Sequence, residues 1–553
     1  MPQKLLFIFL LLIAPCFVAV GQESGQEQKR LVYFTDKANS PYTLQQPLVF
    51  LSQKALDRRQ SQSIALQERD LPVNPAYVAA LKQQEVTVWY TSKWFNAAVV
   101  QCSDQKLTEI ESLPFVKTTK TLNRLAFPTG NTLQSITQQE TATYSTGERT
   151  TLVKEDYGRA FHQSDMLGVV NLHNAGYKGA GKTIAVFDAG FPGVNNINAF
   201  SHLFQNGQIK GTFDFVLKQD NVYGANSHGT SVLSTMAAFE PGKMIGTAFE
   251  ANYLLLRTED AASEHNIEEI NWLLAAEYAD SAGADVINSS LGYNVFDSPS
   301  RSYTYSEMDG NTTLVAKAAD VAAAVGMLVV TSAGNEGNGG WRYIASPADA
   351  DSVLAVGAVD SLGIKASFSS FGPSADGQIK PDVVALGQKV YFLNTAGNVT
   401  KGNGTSFAGP IIAGFAASLW QANPSKNNYE IIQLLRQSSS QATNPDNSIG
   451  YGIPNYSRSI TSLAKLPAID KVLITNPVSD KPVVLILGQN WQRQLLEVQV
   501  LDITGKVVHK ERILKPEQEQ RINLQPQFLS SGLYLCRITS ASGAATTVRF
   551  IKL

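Results

Sequence analysis

At 553 residues, with 44% apolar and 17% charged side chains, the chain has room for roughly three or four domains and the make-up of a core-forming protein, which excludes wholesale disorder. A formal net charge of −2 supplies no electrostatic footprint for nucleic acid or an anionic membrane surface, and neither is expected as a partner.

In chain order, Lys4 is followed by an almost unbroken apolar run from Leu5 to Val20, the small residues Ala19-Val20-Gly21 and the polar Gln22-Glu23-Ser24. This predicts a secretory signal over 1–21. Pro15 interrupts the run and no basic cluster follows it, which argues against an anchor. No later segment is apolar enough to span a bilayer, so the mature chain is expected to lack a transmembrane segment. The three cysteines, Cys16, Cys102 and Cys536, form no CxxC or Cys/His pattern. Stability is therefore expected from the core and not from disulfides, and no metal site is named.

Residues 22–128 read as an α+β unit. A strand at Leu31–Phe34 precedes helices over Phe50–Arg58 and Asn74–Gln84. Two strands follow around Ser92-Lys93, then a helix from Asp104, with Asp104 as its cap, to Phe115. The order suggests a split βαβ sandwich. Residues 129–154 are rich in Thr, Gln, Ser and Glu without apolar periodicity and read as an accessible linker. Residues 155–462 alternate buried strands (Thr183–Phe187, Tyr253–Leu256, Asp285–Asn288, Met327–Val330) with helical patterns (Ile267–Gly283, Leu314–Gly326). That alternation predicts α/β architecture, a parallel sheet with helices on both faces. From 468 to 553 the texture changes to short β runs between turn signals, predicting a small antiparallel sandwich.

Five segments of the central region carry reactive groups. Phe187-Asp188-Ala189-Gly190 puts a carboxylate at the end of a buried strand. Ser227-His228-Gly229-Thr230-Ser231 puts a histidine at a helix start. Asn288-Ser289-Ser290-Leu291-Gly292 and Thr331-Ser332-Ala333-Gly334-Asn335-Glu336-Gly337 each follow a strand. Gly404-Thr405-Ser406-Phe407-Ala408-Gly409-Pro410 puts a serine at the N-terminus of an apolar helix, where free N–H groups and the helix dipole favour developing negative charge. In a parallel sheet these strand ends share one edge.

Together these motifs resemble the subtilisin-like serine peptidases, in which the triad runs Asp, His, Ser along the chain. Phe371-Gly372-Pro373, Lys380-Pro381-Asp382 and Gly450-Tyr451-Gly452 extend the likeness over about 300 residues. The resemblance implies Ser406 as nucleophile, His228 as general base and acid, Asp188 as its orienting partner, and Asn335 with the Ser406 N–H as oxyanion donors. It also implies that Ser290, Leu291, Gly292, Ser332, Ala333 and Gly334 pair with and enclose the substrate. Catalysis of this kind requires no cofactor. Structural calcium is common in the family, though no calcium site is read from this sequence. Two residues depart from the family pattern: Ala189 stands where Ser or Thr usually follows the aspartate, and Ser231 replaces a frequent second histidine.

The first unit resembles the family's propeptides, which act as folding catalyst and inhibitor. The tail resembles the type A sorting domain of type IX secretion, through Asn476-Pro477-Val478-Ser479-Asp480, Leu501 to Val508, Ser531-Gly532-Leu533-Tyr534 and Phe550-Ile551-Lys552-Leu553. The expectation is a serine endopeptidase acting on proteins or peptides, exported through the periplasm and secreted or held at the cell surface. Its partners would be substrate, propeptide and the type IX machinery. A catalytically silent binding relative, or an adhesin whose tail does the work, would use the same chain differently; the intact Asp188, His228, Ser406 and Asn335 favour the enzyme.

Overall fold

The computed structural model describes residues 27–125, 151–465, 472–474, 483–487, 495–514, 521–524, 529–540 and 545–552. The expected signal, most of the expected linker, the motif at 476–480 and Leu553 lie outside the described residues. The chain divides into two compact units between Ser459 and Ile460.

The first unit begins with a four-stranded antiparallel sheet of Gln28–Phe34, Thr87–Ser92, Ala97–Cys102 and Val116–Leu125, in which the first strand lies between the third and the fourth. Helices Gln53–Ser61, Pro75–Gln83 and Asp104–Glu111 start at the side-chain caps Ser52, Asn74 and Ser103. The third cap corrects the sequence expectation. The Ser103 hydroxyl, not Asp104, accepts the free Lys106 N–H, and Asp104 becomes the first helical residue. Val32, Phe34, Ala98 and Val100 of the sheet pack on Leu81 and Ile110 of the helices. This is the split βαβ arrangement.

The larger sheet has seven parallel strands, in the spatial order Val383–Leu386, Leu354–Val359, Leu328–Ser332, Val286–Ser289, Thr183–Asp188, Asn252–Arg257, Ile209–Asp214. Three of these strands, Ile209–Asp214, Leu354–Val359 and Val383–Leu386, were not anticipated from the sequence. Ala185 and Phe187 face helices Ile267–Ala282 and Leu314–Ala324 in one core. Helices His228–Ala237 and Thr405–Ala422 pack together against the sheet as well. From Thr183–Asp188 the chain first adds strands on one side, then returns to add the others on the opposite side. That reversal opens a crevice at the C-terminal end of the strand carrying Asp188.

The second unit holds two antiparallel sheets, one of Val472–Ile474, Val483–Leu487 and Arg521–Leu524, the other of Leu495–Leu501, Val507–Leu514, Gly532–Ser540 and Ala545–Lys552. Leu496, Val498, Val500, Cys536, Ile538 and Phe550 form a core of their own. Cys102 and Cys536 are buried and free.

Candidate active site

Asp188 ends its strand completely buried. One carboxylate oxygen accepts the N–H of Ala189, at 2.8 Å. Both oxygens meet Nδ1 of His228, at 2.9 and 3.0 Å, which assigns the proton of the neutral ring to Nδ1 and leaves Nε2 as the free lone pair. His228 opens helix His228–Ala237, and its own N–H is fixed by Asn226 Oδ1 at 2.9 Å. Burial pushes the imidazolium pKa down, but the charge of Asp188 and its hydrogen bond outweigh this and raise it above the ordinary 6.5.

Ser406 is the second residue of helix Thr405–Ala422. Among the described residues, neither its hydroxyl nor its N–H has a hydrogen-bond partner. A Cβ at Gly404 would lie 2.7 Å from the Ser406 hydroxyl oxygen, so any side chain there would displace it. The Ser406 carbonyl would ordinarily accept the N–H of residue 410, but Pro410 has none. The Ser290 hydroxyl donates to it instead, at 3.0 Å, and the Ser332 hydroxyl donates to the Thr405 carbonyl, also at 3.0 Å.

Asn335 is exposed. Its Oδ1 accepts both the N–H and the hydroxyl of Thr405, at 2.8 and 3.0 Å, which turns its two amide hydrogens away from Thr405. A cavity of about 100 Å³ lies here, lined by Ser290, Leu291, Gly292, Asn294, Ser332, Gly334, Asn335, Glu336, Ala345, Thr405 and Ser406.

The fold thus gathers the expected residues at one sheet edge. Ala333 alone turns its side chain away, into a cluster with Ile344, Ala348 and Ala355. Asn294, Ala345, Glu336 and Thr405 also line the cavity; the last two lie within motifs quoted from the sequence but were given no role there. Ser231 stays within its helix, its buried hydroxyl bonded to the Ser227 carbonyl at 3.4 Å.

The Subtilase family model matches residues 179–452. Subtilisin DY of Bacillus licheniformis is 34% identical over 279 residues, covering 50% of this chain and 89% of that protein. Subtilisin Savinase of Lederbergia lenta is 32% identical over 284 residues, covering 51% and 92%. The chain belongs to the subtilase family. It is a subtilisin-like serine endopeptidase, and its flanks match two further families: the peptidase S8 propeptide domain of Bacteroidota over residues 29–140, and the secretion system C-terminal sorting domain over 475–552. The sorting domain marks this subtilase for export, to a secreted or surface location. A solved structure, MycP1 from Mycobacterium smegmatis, aligns at a TM-score of 0.44 and 22% identity over 56% of this chain and 86% of that one.

The subtilase also carries one acidic group that the sequence did not flag. Glu259, Glu264 and Glu268 bring carboxylate oxygens within 4.8 Å of one another, a donor set of the kind that suits a hard cation. Burial, above all, raises their pKa values to about 7, 8 and 10; the charge of Asp188 adds to this at Glu259, and repulsion from Glu259 adds to it at Glu264 and Glu268. Among the described residues no helix is long and apolar enough to cross a membrane.

Proposed function

We propose that Asp188, His228 and Ser406 form the catalytic triad of this subtilase and hydrolyse peptide bonds through an acyl-enzyme. The observation that carries the reading is the two-oxygen grip of Asp188 on Nδ1 of His228. It fixes the tautomer that a serine's general base needs. Ser406 Oγ attacks the scissile carbonyl carbon while His228 Nε2 takes the hydroxyl proton. The oxyanion formed is met by the Asn335 side-chain N–H and the Ser406 N–H. Collapse breaks the C–N bond, and His228 returns its proton to the leaving amine. A water molecule then attacks the ester, again through His228, and releases the acid and Ser406. These groups supply nucleophile, base and charge stabilisation, so the chemistry calls for no cofactor.

The substrates are proteins or peptides. The small side chains Ser290, Gly292, Ser332, Gly334 and Ala345 around the cavity leave space for one large apolar or aromatic residue of the substrate. The propeptide acts as inhibitor of the enzyme it precedes, and the tail engages the type IX machinery after passage into the periplasm.

A fluorophosphonate probe tests the nucleophile. Correctly folded, propeptide-free enzyme should be labelled at Ser406 and the Ser406→Ala variant should not. A folded, propeptide-free chain that stays unlabelled overturns the reading and leaves a silent binding relative or an adhesin.

A further inference from the structure

Helices Ile267–Ala282 and Leu314–Ala324 end alike. Each is followed within two residues by a left-handed glycine, Gly283 at φ +85° and Gly326 at φ +99°, and each closes with paired backbone bonds from the residues beyond its last turn. Both ends lie at the sheet edge opposite the one that carries Asp188, since strand Val286–Ser289 begins directly after Gly283. The carbonyls of Ala284 and Val325, at the negative ends of the two helix dipoles, have no partner within their own helices.

Arg58 of the propeptide fills this spot. Its Nε donates to the Val325 carbonyl at 3.2 Å, one terminal nitrogen donates to the Ala284 carbonyl, and the other meets Asp280 Oδ1 at 2.5 Å. The guanidinium fork is thus spent entirely on the peptidase. Arg58, Asp280, Ala284 and Val325 are all buried. The approach is close: a Cβ on Gly283 would lie 2.7 Å from Lys54 Cβ, and one on Gly326 would lie 2.9 Å from Gln62 Nε2. Arg59 and Lys93 also reach Asp280, at 2.7 and 2.9 Å, but Arg59 shares its fork with Asp70 of the propeptide and Lys93 shares its ammonium with Ser281. Only Arg58 reads both helix ends.

We propose that the peptidase bears a guanidinium-binding site, formed by Asp280 with the carbonyls of Ala284 and Val325, whose occupant in the precursor is Arg58 and which anchors the propeptide. A planar five-donor fork fits three acceptors spread around it; a lysine ammonium at the end of a flexible stem does not replace it. The site goes beyond the triad and does not depend on it.

Hydrogen exchange on the uncleaved full chain carrying Ser406→Ala reads this contact without turnover. Arg58→Lys and Arg58→Gln should each speed opening of helix Gln53–Ser61 about tenfold or more, the scale of losing one or two charge-assisted bonds, while helix Asp104–Glu111 changes little. Added ethylguanidinium, which competes for the vacated site, should speed opening more than ethylammonium at equal concentration, and only when residue 58 is arginine. If Arg58→Lys opens no faster than the parent chain, the guanidinium site is overturned. Should both variants fail to fold, the two-cation comparison on the Arg58 chain decides, with equal effects overturning the proposal. Missing fluorophosphonate labelling would sink the triad reading while leaving these exchange outcomes untouched.

Discussion

His228 is held between two opposing effects, and in the proposed triad their balance sets the working pH. Burial favours the neutral ring and Asp188 favours the charged one; Asp188 wins, so the pKa lies above 6.5. Only the neutral ring can accept the Ser406 proton. Activity should therefore be low in acid and rise with pH through a single ionisation above 6.5, measured as kcat/KM on a peptide substrate. Asp188→Asn should move that ionisation down and lower kcat by about 10⁴, the scale of the same exchange in a serine-protease triad. Asn335→Leu tests the oxyanion donor. In subtilisin itself, loss of the corresponding donor costs about 10²–10³ in kcat, and the same scale is expected here with KM nearly unchanged. The residues of the proposed triad, and Asn335, stood out in the sequence because each sits in a short motif at a strand end or helix start. Thr405 did not, because it orients Asn335 across a long stretch of sequence. Nor did the inward turn of Ala333: Leu328–Ser332 is buried on both faces, so its composition does not tell which way the residue after it points.

Among the elements, helix Thr405–Ala422 shows how a sequence irregularity becomes a packing requirement. Pro410 removes one rung of the helix and leaves the Ser406 carbonyl to Ser290. Ser290→Ala should leave that carbonyl unpaired in a buried setting and lower stability by about 1–3 kcal/mol, read by thermal or urea unfolding of the full chain. The segment from Glu259 to Glu268 makes a different prediction. Its carboxyls hold protons more tightly folded than unfolded, so folding takes up protons here. The stability it contributes is greatest below about pH 4.5, and falls as pH rises toward about 8 for Glu264 and about 10 for Glu268. Glu264→Gln should therefore raise Tm at pH 8, by about 2–4 °C for each kcal/mol relieved, and leave it unchanged at pH 4. The strands that went unanticipated have physical excuses as well. Ile209–Asp214 is an edge strand whose residues are mostly half-buried, so it lacks the continuous apolar run that reveals a central one. Leu354–Val359 is wholly buried, but its small Ala355, Gly357 and Ala358 dilute that run.

Across the whole molecule, each flanking region has a core to account for. The propeptide shares a core with the peptidase: Leu31, Trp94, Ala97, Val99 and Leu122 belong to the same buried cluster as Trp272, Leu273 and Val315. Among the described residues, Leu496, Val498, Val500, Cys536, Ile538 and Phe550 give the tail a core of its own. Sequence texture divided the chain into these regions but could not foresee the core that propeptide and peptidase share, because shared burial is a matter of which apolar faces meet. Two deletions test the flanking regions, with opposite results expected. Removing residues 22–128 strips one side of a common core and also takes away Arg58, Arg59 and Lys93 from Asp280, so the yield of folded peptidase should collapse unless the propeptide is supplied separately. Removing residues 468–553 takes away a unit that has its own core, so the remaining chain should melt within about 2 °C of the parent and keep its fluorophosphonate labelling. The truncated enzyme should instead fail in transport, accumulating in the periplasm of cells that export the parent. Unchanged export would detach the tail from sorting, whereas a large fall in Tm would show that the tail supports the peptidase.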